Sequence, residues 1–153
     1  MVSSRTYDDS PAGTYGQLVP GMHRSEAIWP SETGRLIQLR HSPDLDTGFR
    51  TNIGLVSLCA DSMDIAMHLF LGSGESLGNR TVSLPPWGVT QLNNVFEPFT
   101  DQDVTDGFAI LSSATPRCAF HAYASVVDNR TNDPILVPIK PWTPTLFGGE
   151  IAQ

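Results

Sequence analysis

Two stretches at opposite ends of the chain carry the same pattern. Residues 118–138, CAFHAYASVVDNRTNDPILVP, form a long run of residues that suit a pleated strand, then a turn cluster from Asp128 to Pro134, then a second short strand. Residues 2–20, VSSRTYDDSPAGTYGQLVP, repeat that order: strand, Asp-Asp turn with Pro and Gly, second strand, Leu-Val-Pro. Residues 3–9 align on residues 123–129 at a displacement of 120, and residues 18–20 on residues 136–138 at a displacement of 118. The two turns therefore differ by two residues, in the part of a hairpin where length varies most freely. A chain of 153 residues is one domain, and one domain needs its closing hairpin once. The other copy lies beside that domain or completes a neighbour.

Composition narrows the class. Charged residues make up only 16% of the chain, while Gly (13) and Pro (12) are frequent, a mix that suits short strands joined by turns. No stretch of eighteen apolar residues is present, so membrane insertion is not expected. The opening MVSSRTYDDS lacks the basic and apolar stretches of a signal peptide, so the expectation is either that export has already removed a leader or that the protein is not exported. The net charge of −7 opposes binding to nucleic acid, which needs a basic footprint, and to anionic lipid.

In chain order, residues 1–20 read as an N-terminal strand arm and residues 21–34 as a connector. Residues 35–139 read as a β-sandwich domain, and residues 140–153 as an extended, Pro-rich tail. Residues 36–39 and 49–58 are strand candidates; Gly54 in the second marks a bulge or a close backbone neighbour. Met63, Ile65, Met67, Leu69 and Leu71 alternate with Asp64, Ala66, His68 and Phe70, the period of a strand buried on one face. Strands follow at 81–84, stopped by Pro85 and Pro86, and at 89–96. Residues 97–107 form a polar loop, residues 108–111 resume the sheet, and Cys118 opens the long strand. About eight strands at this spacing, with no capped helical segment, predict an all-β, antiparallel sandwich, immunoglobulin-like or jelly-roll-like.

Sites for chemistry are few. Cys59 and Cys118 are each set in strand-like runs; they are either an inter-strand disulfide of an oxidising compartment or two small buried residues. His23, His41, His68 and His121 show no metal-binding spacing, although His68 and His121 lie in strands that could face one another. Asp101, Asp103 and Asp106 beside Gly107 gather carboxylates in one loop, the sort of oxygen ligand that calcium takes, but the spacing is not that of an EF-hand. Calcium is thus the single cofactor considered, and otherwise none is expected. Trp87, in a turn after two prolines, is the aromatic best placed to stack on a sugar ring. Asn79 and Asn129 head glycosylation patterns. No nucleophile elbow or phosphate loop is present, and an enzyme is not expected.

Residues 49–56 (FRTNIGLV), Leu84-Pro85-Pro86 with Gln91, and residues 122–129 (AYASVVDN) with Asp133-Pro134 resemble a poorly characterised β-sandwich repeat of secreted bacterial multi-domain and surface proteins. Residues 4–7 and 13–17 resemble the close of a preceding copy. The resemblance implies an extracellular or cell-surface setting and modular assembly, and carries no catalytic residues. The tail from Trp142 has no counterpart in it.

Together these features predict a non-catalytic structural subunit that joins other copies of itself head-to-tail, into a filament or surface array, by strand addition of its arm. Arg5, Tyr7, Tyr15, Leu18 and Val19 are the residues expected to carry that contact. The alternative is a carbohydrate-binding or adhesion module of a larger secreted protein, with Trp87 stacking on a surface polysaccharide.

Overall fold

A computed structural model describes residues 3–10 and 13–142, apart from the side chains of residues 3–10, 14 and 15. Eleven strands run in chain order: β1 (Ser3–Ser10), β2 (Gly13–Pro20), β3 (Thr33–His41), β4 (Phe49–Ser57), β5 (Met63–Phe70), β6 (Ser76–Leu84), β7 (Val89–Leu92), β8 (Val104–Ser112), β9 (Phe120–Asp128), β10 (Pro134–Pro138) and β11 (Lys140–Trp142). A single 3₁₀ turn, Arg24–Glu26, lies between β2 and β3. Among the described residues, nine strands make two antiparallel sheets, ordered β10-β9-β4-β7 and β11-β3-β8-β5-β6, while β1 and β2 pair only with each other. The chain is an all-β sandwich, as its strand spacing predicts. The β4–β7 and β6–β5–β8 pairings match the B–E and C′–C–F pairings of an immunoglobulin-type sandwich. The first sandwich strand, β3, borders β8, and the long late strand, β9, borders β4, the reverse of that fold's edge assignment.

The core follows the alternation of the strands. On β5, Met63, Ile65, Met67 and Leu69 are buried while Asp64 and His68 are exposed. Across the sandwich, Ile53 and Leu55 of β4 and Phe120, Ala122, Ala124 and Val126 of β9 supply the facing layer. Burying such aliphatic and aromatic side chains stabilises by about 1.5–3 kcal/mol each. Gly54 sits opposite Tyr123, whose ring covers it so closely that an added methyl would collide with the ring. The glycine therefore marks a close neighbour rather than a bulge.

Several boundaries differ from the sequence expectation: β6 begins at Ser76 rather than 81, β8 begins at Val104 inside the expected loop 97–107, and three further differences lie at the end of β7, in the connector and in the tail. The run at 89–96 is strand only to Leu92. Asn94 takes a left-handed conformation (φ 46°), and its N–H is held by the Asn52 side chain at 3.0 Å. Val95 and Phe96 then enter the core from a turn, so their apolar character reflects burial and not pleating. The connector at 21–34 also belongs to the domain. Ile28 is fully buried and exchanges two backbone hydrogen bonds with Phe120, at 2.9 and 3.0 Å. Finally, the tail begins as a strand, with β11 pairing β3 from Lys140 to Trp142. The rest of the tail lies outside the described residues.

Cys59 and Cys118 form a disulfide, with their Cα atoms 5.0 Å apart. The bond continues the β4–β9 register two steps past its end: Ser57 pairs Phe120, Leu58 donates to the Ala119 carbonyl at 3.0 Å, and Cys59 faces Cys118. The bridged residues are 59 positions apart, so chain-entropy reasoning gives about 4 kcal/mol of stabilisation. Replacing both cysteines with serine is expected to lower the unfolding free energy by about 2–5 kcal/mol in a urea titration. An unchanged midpoint would mean that the ladder is held by its backbone bonds alone.

Candidate functional site

The N-terminal hairpin copies the closing hairpin in register as well as in sequence. In β1–β2, Ser3 pairs Pro20, Ser4 pairs Val19, Arg5 pairs Leu18, Thr6 pairs Gln17 and Tyr7 pairs Gly16. In β9–β10, the aligned residues pair identically: Tyr123 with Pro138, Ala124 with Val137, Ser125 with Leu136, Val126 with Ile135 and Val127 with Pro134. The first hairpin then extends by three further pairs, ending at Ser10 and Gly13. The second opens after Val127 into a turn stitched by Asp128. That carboxylate accepts from the Arg130 and Thr131 N–H groups at 2.8 and 3.1 Å.

The two hairpins differ in their surroundings. In the sandwich, the second edge of β9 pairs with β4 along nine residues. The matching edge of β1 bonds no strand among the described residues, and β2 runs beside β10. One parity of β9–β10 holds Ala124 and Val126, both buried, with Val137 half-buried and Ile135 62% exposed at the open edge; the aligned positions of the first hairpin are Ser4, Thr6, Val19 and Gln17. Its register is kept while most of its core-facing apolar character is gone. Such a hairpin is suited to backbone pairing along an edge more than to filling another core. Leu18 is exposed and Val19 half-buried; the side chains of Arg5, Tyr7 and Tyr15 lie outside the described residues.

Among the described residues, β6, β7, β10 and β11 have an outer edge free of a further strand. β10 carries Pro134 and Pro138 and β11 carries Pro141, and proline blunts an edge because it has no N–H to donate. β7 has four residues. β6 has nine and no proline, which makes it the longest receptive edge.

No family model, curated protein or solved structure matches the chain.

The other predicted residues are dispersed. Asp101, Asp103 and Asp106 do not gather as ligands. Among the described residues, the one acidic, thiol or imidazole cluster of three is Cys59, Asp61 and Cys118, whose sulfurs are joined to each other. Asp106 is part of β8, and it lines one surface pocket together with Asp103 and the turn at Gly72 and Ser73. His68 and His121 lie in different sheets, with His68 exposed and His121 buried. Asn129 is fixed by bonds to the Asp44 and Thr47 carbonyls and to Arg50, so its amide is committed to the turn. No described helix is long and apolar enough to cross a membrane.

Sequence reasoning missed a pocket of about 160 Å³ lined by Met22, Arg24, Leu58, Trp87 and His121. Its residues come from four separate places in the chain, so no local spacing announces it. Trp87 is 64% exposed, as its turn predicts, whereas His121 is only 6% exposed and, among the described residues, neither ring nitrogen makes a hydrogen bond of full geometry. Burial holds the His121 pKa below the ordinary imidazole value of 6.5, against weaker opposing effects of the His23 backbone and the Glu26 carboxylate. The unfolded chain takes up this proton at a higher pH than the folded one. The stability linked to it is complete above about pH 6.5 and declines as pH falls below that value. Asp44 and Asp128, held below the ordinary carboxylate value by hydrogen bonds from their own turns, act only in a more acidic window. The melting temperature is therefore expected to fall between about pH 7 and about pH 5, and His121→Gln to flatten that slope. An identical slope in the variant would remove His121 as its cause.

Proposed function

We propose that this protein is a non-catalytic, extracellular structural subunit that joins copies of itself head-to-tail through its N-terminal hairpin. The observation that carries this reading is the register identity of β1–β2 with β9–β10. A hairpin already shaped to lie beside a sheet strand here has its corresponding edge free of any strand among the described residues. A lone two-stranded hairpin is marginal in water, so pairing with a further strand stabilises it. The receptive strand is β6 of a second copy, by its length and lack of proline. A contact between two different surfaces does not close on itself, so repetition extends a filament or surface array. The disulfide supports an oxidising, extracellular setting, since such bonds persist where thiols are not kept reduced. The charge of −7 keeps unassembled subunits apart.

Deletion of residues 1–20 tests this reading. The expected product is folded, monomeric by sedimentation, and free of polymers in electron micrographs under conditions where the full chain assembles. In the assembled full chain, amide exchange is expected to slow along β6 and to stay unchanged along β10. Assembly that survives the deletion, or a full chain that stays monomeric at every concentration, contradicts the proposal.

A further inference from the structure

The pocket at Trp87 combines two features that packing alone does not explain. Trp87 is largely exposed and has a left-handed backbone (φ 55°), a conformation unfavourable for a bulky side chain. Its position is nevertheless rigidly defined. Trp87 N–H donates to the Cys59 carbonyl at 2.9 Å, Gly88 N–H to the Pro85 carbonyl at 2.9 Å, and Ser57 N–H to the Gly88 carbonyl at 2.8 Å. The turn that presents the indole is thus tied to the disulfide-bearing segment. The second feature is His121, more than nine-tenths buried in the same pocket, whose two nitrogens make no hydrogen bond of full geometry among the described residues, the His23 backbone being the polar group that acts on the ring. Buried polar atoms without partners are rare and unfavourable, and they call for a polar group to enter. His41, the other buried histidine with an unpartnered nitrogen, differs: its Nδ1 is engaged by Asn94 at 3.1 Å and its ring stacks on Phe96.

The remaining lining completes a description of the occupant. Met22 and Leu58 are apolar walls, and the Arg24 guanidinium rests above the Trp29 ring at 5.5 Å. A volume of about 160 Å³ suits one six-membered ring. The occupant needs a C–H face for the indole and hydroxyls for a neutral imidazole, which offers one donor and one acceptor. An aromatic side chain supplies the face but leaves the histidine nitrogens unpaired. A polyanion is disfavoured by the net charge of −7.

We propose that Trp87, His121 and Arg24 form a binding site for one hexopyranose ring of a neutral polysaccharide. The ring stacks on Trp87, and its hydroxyls bond to His121 and Arg24. Titration of the full chain with neutral hexasaccharides of glucose, mannose and galactose, read by tryptophan fluorescence, tests it. At least one is expected to give a saturable change at millimolar concentration. Trp87→Ala, at an exposed turn, is expected to abolish it, and Arg24→Ala and His121→Phe each to weaken it about tenfold. The proposal is overturned if no hexasaccharide binds, if binding survives Trp87→Ala, or if indole and phenol saturate the pocket while the sugars do not.

Discussion

The β4–β9 ladder is the interaction on which the rest of the structure depends. Nine residue pairs run from Phe49–Asp128 to Ser57–Phe120 without a register shift, and the disulfide closes the end. Every other member of that sheet is attached to one of these two strands. β7 lies on β4, and the outer edge of β9 takes β10, then the Ile139 N–H at 3.0 Å from the Ala122 carbonyl, then Ile28. The inner faces of the same two strands supply much of the layer against which the second sheet packs. The pairing joins residues far apart in the chain, so it forms against a loop-closure entropy that only the finished ladder offsets. The disulfide acts on that same term, because it limits how far the two strands separate when unfolded.

What the sequence reveals follows from where each residue meets its partners. The alternation at 63–71 is legible because one face of β5 meets the core and the other meets water or a neighbouring side chain. Gly54 is legible as a close approach, although only the register shows that Tyr123 is what approaches. The cysteine pairing depends on the same register and so stays open until the ladder is known. Val95 and Phe96 mislead because burial from a turn and burial from a strand select the same side chains. Ile28 misleads in the opposite sense, as the buried pair Ala27-Ile28 among Pro, Ser and Glu is too short to show a period. The pocket is the extreme case, since Trp87 and His121 are 34 positions apart and become neighbours only through the fold.

The duplicated hairpin separates two properties that usually travel together in a strand. Pairing register is a property of the backbone and of turn length, whereas burial is a property of side-chain parity. The N-terminal copy keeps the first and changes the second, with Thr6 in the place of the buried Val126 and Gln17 in the place of Ile135, which is 62% exposed. Gln17 is buried and its amide nitrogen has no partner among the described residues. A segment of this composition gains less from a hydrophobic groove than the original hairpin does. Backbone hydrogen bonds at an open edge remain equally available to it, and that asymmetry favours edge pairing.

The arm and the pocket meet at one point of the chain. β2 ends at Pro20, Met22 already packs against the core, and Arg24 opens the 3₁₀ turn on the pocket's rim. That turn is closed by a reciprocal cap, with the His23 N–H donating to Glu26 at 2.9 Å and the Ser25 N–H to the His23 ring at 3.2 Å. Ala27 and Ile28 beyond it are buried. Between proline and an anchored methionine, Gly21 is the residue with the conformational freedom to redirect the hairpin without displacing the pocket. In the assembly proposed above, a hairpin that reorients toward a neighbouring subunit would turn at Gly21, and the residues of the proposed sugar site would stay with the subunit that carries them.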